Sequence, residues 1–292
     1  NGEILSMVSL PDFDINKRDS IDEEKFINRA TKGVYELGSV FKTFTLAAAL
    51  NKRTVEPQTK FKDLKKSIRC GKNIINEYDK NIPSDLTAEQ ILIRSGNIGS
   101  VKIGQSVGID DYKKLINDLS LINRINFDIE EVGVPISFNW GKCKLATVSY
   151  GHGITTTLLQ LANAYSILAN GGYQIQPTLI KIKGNLDQKK LFEKDISSKI
   201  ISILRKIVIL KEGTASLANV EGYEVGGKTG TAQKSAIGGY SRDKINTFAS
   251  IFPTSKPKYS LVVMLDEPKI NNEYIYNYRD GSGIKYKGTP FN

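Results

Sequence analysis

The chain has 292 residues, a formal net charge of +10, 40% hydrophobic and 25% charged residues. That composition belongs to a folded globular protein with room for a full core, and it excludes an intrinsically disordered or low-complexity chain. The longest apolar run, residues 259–265, is far too short to span a bilayer and suits a buried strand. The lysines are scattered, with no zinc-ligand spacing, RNA-binding aromatic motif or basic-aromatic stripe. A solvated surface therefore accounts for the charge better than a nucleic-acid interface does.

In chain order, residues 2–10 read as a strand that stops at Pro11 and Asp12. After a polar connection, a run of good helix formers begins at Ser39, directly behind Gly38, and ends near residues 51–53. Residues 54–83 look irregular, punctuated by Pro57, Gly71 and Pro83. A capped helix is predicted from Ser84 to Ile93, breaking at Arg94-Ser95-Gly96-Asn97, with further helices over 98–107 and 109–121. Residues 127–140 read as loop. Leu158, Leu161, Ala162, Tyr165, Leu168 and Ala169 then fall at helical spacing, ahead of Gly171-Gly172.

Beyond Pro177 the character changes. One amphipathic helix is predicted over 197–211, followed by strand-like runs over 223–233, 246–252 and 258–266. They are separated by Gly238-Gly239 and by residues 253–257, as in antiparallel hairpins. The tail, 271–292, is polar and tyrosine-rich and takes no assignment. This order predicts a mixed α/β (α+β) chain, an antiparallel sheet flanked by helices. The sheet part covers about 1–51 and 181–270, its first strand coming from the N-terminus. An all-helical subdomain over about 52–180 lies against it, with a site in the cleft between.

Three short stretches carry chemistry. On a helix, positions three apart share a face, which stacks the Lys42 amine over the Ser39 hydroxyl. Apolar surroundings and the positive end of the helix both favour neutral lysine, making the pair a candidate nucleophile and base. Ser95-Gly96-Asn97 places a hydroxyl and an amide around a glycine between two helices. In Lys228-Thr229-Gly230-Thr231, strand alternation puts both threonine hydroxyls on one face, fit for a carboxylate. Gly230 leaves room for an extended substrate to lie alongside. Each stretch alone is weak, since capping serines, turns and glycine-rich strands are common. The single histidine, His152, sits in a glycine-flanked loop without an acid partner in view, so lysine is the better base and His152 a structural loop residue. Cys70 and Cys143 make no disulfide framework and fix no redox compartment.

Taken together, Ser39-x-x-Lys42, Ser95-x-Asn97 and Lys228-Thr229-Gly230 form the trio shared by serine β-lactamases and penicillin-binding proteins. The chain resembles the transpeptidase domain of the class B penicillin-binding proteins, of the septal, cell-division type. Tyr35-Glu36-Leu37-Gly38-Ser39-Val40-Phe41-Lys42 is similar to that family's nucleophile segment. Residues 146–162 resemble its central signature, and Gly227-Lys228-Thr229-Gly230-Thr231-Ala232-Gln233 its strand motif. The likeness covers about residues 1–270.

The resemblance implies the serine β-lactamase/penicillin-binding transpeptidase-like fold and a peptidoglycan D,D-transpeptidase. Ser39 would attack stem peptides ending in D-Ala-D-Ala, with Lys42 as general base, and Ser95, linked to Lys42 and Lys228, would relay the proton to the departing D-alanine. The Ser39 and Thr231 backbone N–H groups would form the oxyanion hole. Thr229, Gly230 and Thr231 would hold the substrate end, and Asn97 its backbone. β-Lactams would acylate Ser39. The implied partners are stem peptides, β-lactams and divisome proteins including a glycosyltransferase, with no cofactor, metal or nucleic acid. The implied location is the periplasmic face of the bacterial inner membrane.

The sequence departs from this pattern in three places. It shows no membrane anchor or N-terminal pedestal and begins Asn1-Gly2-Glu3, which reads as a piece of something longer. His152 stands where glutamine is commoner. Nothing after Asn271 resembles the helix that covers the sheet, although Gly288-Thr289-Pro290-Phe291 resembles the segment leading into it. A serine β-lactamase of class A would need a glutamate with asparagine four residues on, whereas Glu130 and Glu131 are followed there by Val134 and Pro135. A non-catalytic penicillin sensor or divisome scaffold would keep the same serine and lysine.

Overall fold

The computed structural model describes residues 1–17, 25–181, 188–236, 239–269, 275–277 and 285–287. Gly38–Phe41 make one tight helical turn, and helix α1 continues it over Lys42–Asn51. Every α1 residue from Lys42 to Leu50 is buried, the pattern of a helix at the centre of a core rather than on its rim. Its neighbours reach it through hydroxyls as well as methyls. The buried Tyr165 hydroxyl meets Thr43 Oγ1 at 2.9 Å and donates to the Val40 carbonyl at 3.3 Å, while Tyr112 meets Thr45 Oγ1 at 2.8 Å.

Residues 54–83, read as irregular, carry two small pairings. Strand β1 (Lys60–Phe61) anticipates a later partner, and β2 (Ser67–Cys70) and β3 (Asn73–Asn76) form an antiparallel hairpin. Strand β4 (Leu86–Thr87) closes on β1, so the next helix, α2 (Ala88–Ile93), begins later than Ser84 and is capped by Thr87. Thr87 and Gln90 make a reciprocal capping box, a stronger local stop than the Ser84 of the sequence reading.

Helices α3 (Asn97–Val107) and α4 (Ile109–Asp118) follow as expected. Helix α5 (Lys142–Val148) was not foreseen, being short and set in glycine-rich surroundings. Helix α6 (Leu158–Ala169) is capped by Thr157 with Gln160, and α7 (Lys194–Ile209) is the last long helix. Among the described residues no helix is long and apolar enough to cross a membrane.

Strands β5 (Gly226–Ala236), β6 (Gly239–Phe252) and β7 (Tyr259–Asp266) form one antiparallel sheet in the order β5-β6-β7, leaving β5 as an edge. Ile245, Ala249 and Ile251 of β6 are buried, and β5 packs on α7 and on the Gly38–Phe41 turn. On the opposite face Tyr259, Leu261 and Val263 remain exposed. The antiparallel sheet flanked by helices agrees with the sequence reading. The subdomain over about 52–180 is not all-helical, however, since it carries the β1–β4 and β2–β3 pairings, and the sheet's first strand differs too. Among the described residues the N-terminal run does not join the sheet: Ile4 donates to the Thr178 carbonyl at 2.9 Å, and Glu3 forms an isolated bridge with Thr178. Its apolar residues do not alternate, so it has no single face to lay on a core. Gly238, at the first hairpin connection, lies outside the described residues, as does most of the tail, including residues 288–291. The described part of the tail is a short ribbon of β8 (Ile275–Asn277) and β9 (Lys285–Lys287).

Cys70 and Cys143, too few for a disulfide framework, nonetheless form one disulfide across 73 residues that ties the end of β2 to α5. Closing a loop of that length stabilises a fold by roughly 4 kcal/mol in the chain-entropy model.

Replacing Tyr165 by Phe leaves the buried Thr43 hydroxyl and Val40 carbonyl short of a partner. Urea denaturation of Tyr165→Phe should show a loss of about 1–3 kcal/mol with little change in slope.

Candidate active site

Ser39 is half-buried on the turn that opens α1, and the backbone around it is set by contact with β5. Gly38 has φ +64°, and a Cβ there would meet the Thr231 carbonyl oxygen at 2.5 Å. A Cβ on Gly230 would meet the Leu37 carbonyl oxygen at 2.1 Å. Both glycines therefore exist so that the serine turn can lie directly on the edge strand. This corrects the sequence reading of Gly230, whose empty side is filled by the Leu37 carbonyl and not kept for a substrate backbone. Lys228 and Gly230 are buried, Thr229 is half-buried and Thr231 exposed, so the two threonines share the open side as alternation predicts.

Lys42 is only 2% exposed, and its amine lies 2.5 Å from the Ser95 carbonyl oxygen, 2.7 Å from Asn97 Oδ1 and 3.2 Å from Ser95 Oγ. Lys228 is fully buried and donates to Ser95 Oγ and to the Thr229 carbonyl, each at 2.9 Å. Burial lowers the Lys42 pKa to about 7, with the Glu77 carboxylate opposing the shift. Lys228 is held well below its ordinary value by burial first and by Lys42 second. A neutral Lys42 has two N–H groups and a lone pair. The two carbonyl acceptors take the N–H groups, the Ser95 hydroxyl can donate to the lone pair, and Lys228 supplies the hydrogen bond to Ser95 Oγ. Among the described residues no hydrogen bond joins Lys42 to Ser39 Oγ, so the expected direct stacking is absent. The tight turn between them and the reach of the lysine send the amine to Ser95 instead.

Three residues missed by the sequence reading hold this arrangement. Glu77, just past β3, accepts from the Asn97 N–H at 2.7 Å and the Ile98 N–H at 2.8 Å, capping α3 at its positive end. Asn97 Nδ2 also donates to the Asn76 carbonyl at 2.8 Å, and Ser95 is held at φ +59°, a conformation disfavoured without such support. Thr214 accepts from Thr229 Oγ1 at 2.9 Å, adding a third hydroxyl beside the two on β5. Glu36, buried three residues before Ser39, accepts from the Gly153 N–H at 3.0 Å and the Tyr240 hydroxyl at 2.8 Å. His152 Nδ1 is 3.6 Å from the same carboxylate, and its ring lies between those of Tyr150 and Tyr240. His152 thus does have an acid neighbour, Glu36, which is distant in sequence. Burial, reinforced by Glu36, pushes the Tyr150 hydroxyl up to about 12. Only Glu36 lay inside a stretch already singled out; Glu77 and Thr214 carry no local pattern.

The sequence model of the penicillin binding protein transpeptidase domain matches residues 1–282. The chain belongs to this family. It is 32% identical over 281 residues to the probable peptidoglycan D,D-transpeptidase FtsI of Caulobacter vibrioides, covering 92% of this chain and 47% of that protein. Stage V sporulation protein D of Bacillus subtilis is 32% identical over 293 residues, with 92% and 44% covered. The apo structure of the transpeptidase domain of penicillin-binding protein 3 from Burkholderia pseudomallei superposes with a TM-score of 0.77 at 28% identity, covering 82% of this chain and 74% of that one. The present transpeptidase domain spans about half the length of these two curated relatives.

The buried amine makes a signed prediction about stability. The folded pKa of Lys42, about 7, lies below the unfolded value of 10.5, so between those limits the unfolded chain binds more protons. Stability rises with pH across that window by up to about 1.4 kcal/mol per unit from this group. Urea titrations at pH 7, 8.5 and 10 should show Lys42→Met losing part of that rise.

Proposed function

We propose that the chain is a serine D,D-transpeptidase domain that cross-links peptidoglycan stem peptides in septal wall synthesis. The observation that carries the proposal is the meeting of two buried, neutral-leaning amines on Ser95, beside a half-exposed serine whose turn rests on an edge strand. Family membership supports the same reading.

Ser39 Oγ attacks the carbonyl of the penultimate D-alanine, and its proton passes to Lys42, which takes it as its link to Ser95 loosens. The Ser39 and Thr231 N–H groups receive the developing oxyanion, worth about 2.7–4 kcal/mol for one such donor in enzymes where it was removed. Thr229 and Thr231, with Thr214 behind them, hold the terminal carboxylate, whose arrival favours the charged form of Lys228. Ser95 then delivers a proton to the departing D-alanine, and Asn97 steadies the peptide backbone. The carbonyl is left as an ester on Ser39, which the amine of a neighbouring stem peptide attacks to give the cross-link. β-Lactams enter the same path and stop at the ester.

The disulfide suits an oxidising compartment, which agrees with action at the periplasmic face of the inner membrane. Partners there would be divisome proteins, including a glycosyltransferase that supplies glycan strands.

Fluorescent penicillin should label the protein covalently and remain bound for many minutes, with label absent from Ser39→Ala. The acylation rate should climb as pH rises through about 7, where Lys42 loses its proton. A D-Ala-D-Ala-type thioester should be transferred to an added D-amino acid. Label retained by Ser39→Ala would overturn the nucleophile, and release within seconds would make the protein a β-lactamase.

A further inference from the structure

Glu77 and Asn76 hold the start of α3, and beyond those bonds the hairpin that carries them meets the core through Ile75 and, in part, Ile68. Of the eight residues in β2 and β3 only Ile75 is buried, and Ile74 is 57% exposed. A two-stranded hairpin with so small an apolar face is marginal by itself. A covalent bond fastens its other end: Cys70, its last residue before the turn, is bonded to Cys143 on α5. Helix α5 is a firm post. The chain leaving it places the Ser149 carbonyl 2.8 Å from Thr45 Oγ1 of α1, and Gly151 abuts Gly38, since a Cβ there would meet the Gly38 carbonyl oxygen at 1.9 Å. One bond therefore joins the support of Ser95-Gly96-Asn97 to the support of Ser39.

We infer that the Cys70–Cys143 disulfide is a positioning element of the active site, pinning β2–β3 to α5 so that Asn76 and Glu77 hold Asn97 and thereby setting the rate at which Ser39 is acylated. The inference rests on the proposed acyl-transfer function. Both cysteines are half-buried, within reach of a small thiol. Freed of the bond, the hairpin can swing, the α3 cap weakens and Asn97 Oδ1 drifts from Lys42. A shift of this kind near the reacting groups costs a large factor in rate without unfolding the domain.

The test uses the folded domain and a dithiol. Reduction by dithiothreitol moves two electrons and two protons onto the S–S bond, giving two cysteine thiols and the cyclic disulfide of the reagent. The second-order rate of acylation by fluorescent penicillin should fall about tenfold on reduction and return when oxidised glutathione restores the bond. Amide exchange should quicken over residues 66–81 and 95–99 but not within α1 or α6. The pH profile supplies a readout that mere loss of stability would not move. Lys42 is faced by Glu77 from the end of β3 and by Lys228 from β5, with the uncharged Ser95 and Asn97 between them. Because the Glu77 carboxylate raises the Lys42 pKa, releasing it should move the acid limb of acylation to lower pH.

The double substitution Cys70→Ser with Cys143→Ser should slow acylation similarly in the native background and add little to Glu77→Gln. An unchanged rate on reduction would sink the inference. So would slowing with the acid limb unmoved, or costs that simply add in the Glu77→Gln background. If the oxidised protein takes no label at all, the functional reading fails instead, and the exchange experiment still decides whether the disulfide holds the start of α3.

Discussion

Two ammonium groups cannot comfortably share one buried hydroxyl, and the rest of the site follows from that constraint. Lys42 and Lys228 approach Ser95 Oγ at 3.2 and 2.9 Å with almost no access to water. Each charge would be unsolvated and would repel the other, so the stable state keeps at least one amine neutral. The Ser95, Asn97 and Thr229 carbonyl oxygens satisfy the N–H groups without supplying a counter-charge. A carboxylate in their place would hold both lysines charged and useless as bases. The fold thus gives up stability in the interior to keep a buried amine neutral near neutral pH, the state the proposed base would need.

The second requirement is that three separate pieces of chain meet on that hydroxyl. Ser95 comes from the break between α2 and α3, Lys42 from the start of α1, and Lys228 from an edge strand. None is held by its own element alone. The turn at Ser39 is seated on β5 through Gly38 and Gly230, and α3 is capped from outside by Glu77. Glu36 reaches from the serine segment to both the 151–153 loop and Tyr240 on β6. Buried carboxylates aimed at backbone N–H groups are stiff joints, since losing one leaves several partners unsatisfied.

Much of this was legible in the sequence, for identifiable reasons. A run of helix formers behind Gly38 marks α1, Gly108 closes α3, helical spacing ahead of Gly171-Gly172 marks α6, and an amphipathic pattern marks α7. The three sheet strands were visible from turn residues between β-branched runs. The motif residues declared themselves by order along the chain. What stayed hidden depends on partners distant in sequence. Residues 2–10 have the composition of a strand but no alternation, and they are used against Thr178. Thr87 outcompetes Ser84 as a cap because β1 claims the preceding residues as a strand. Cys70 and Cys143 are ordinary cysteines until the hairpin and α5 are set side by side. The empty side of Gly230 shows in the sequence as space for a substrate, but its occupant is the Leu37 carbonyl, which shows only once the serine turn is docked.

The same arrangement bears on whether an ester at Ser39 would meet an amine or water. Hydrolysis needs a base that can take a proton from water, and a carboxylate is the usual choice where lysine has already served in acylation. The two carboxylates described against the site are both committed. Glu36 divides its oxygens between Gly153 and Tyr240, with His152 beside it, and Glu77 spends both on the first amides of α3. Each of these oxygens keeps a second lone pair, but swinging either carboxylate toward a water would break a joint that holds the 151–153 loop or the start of α3. An incoming amine is in a different position, being a stronger nucleophile than water that gives up its proton only after attack has begun and so asks less of any base. The carboxylates that stiffen this site thus offer little help to a water attacking such an ester, in keeping with the proposed transfer to an amine.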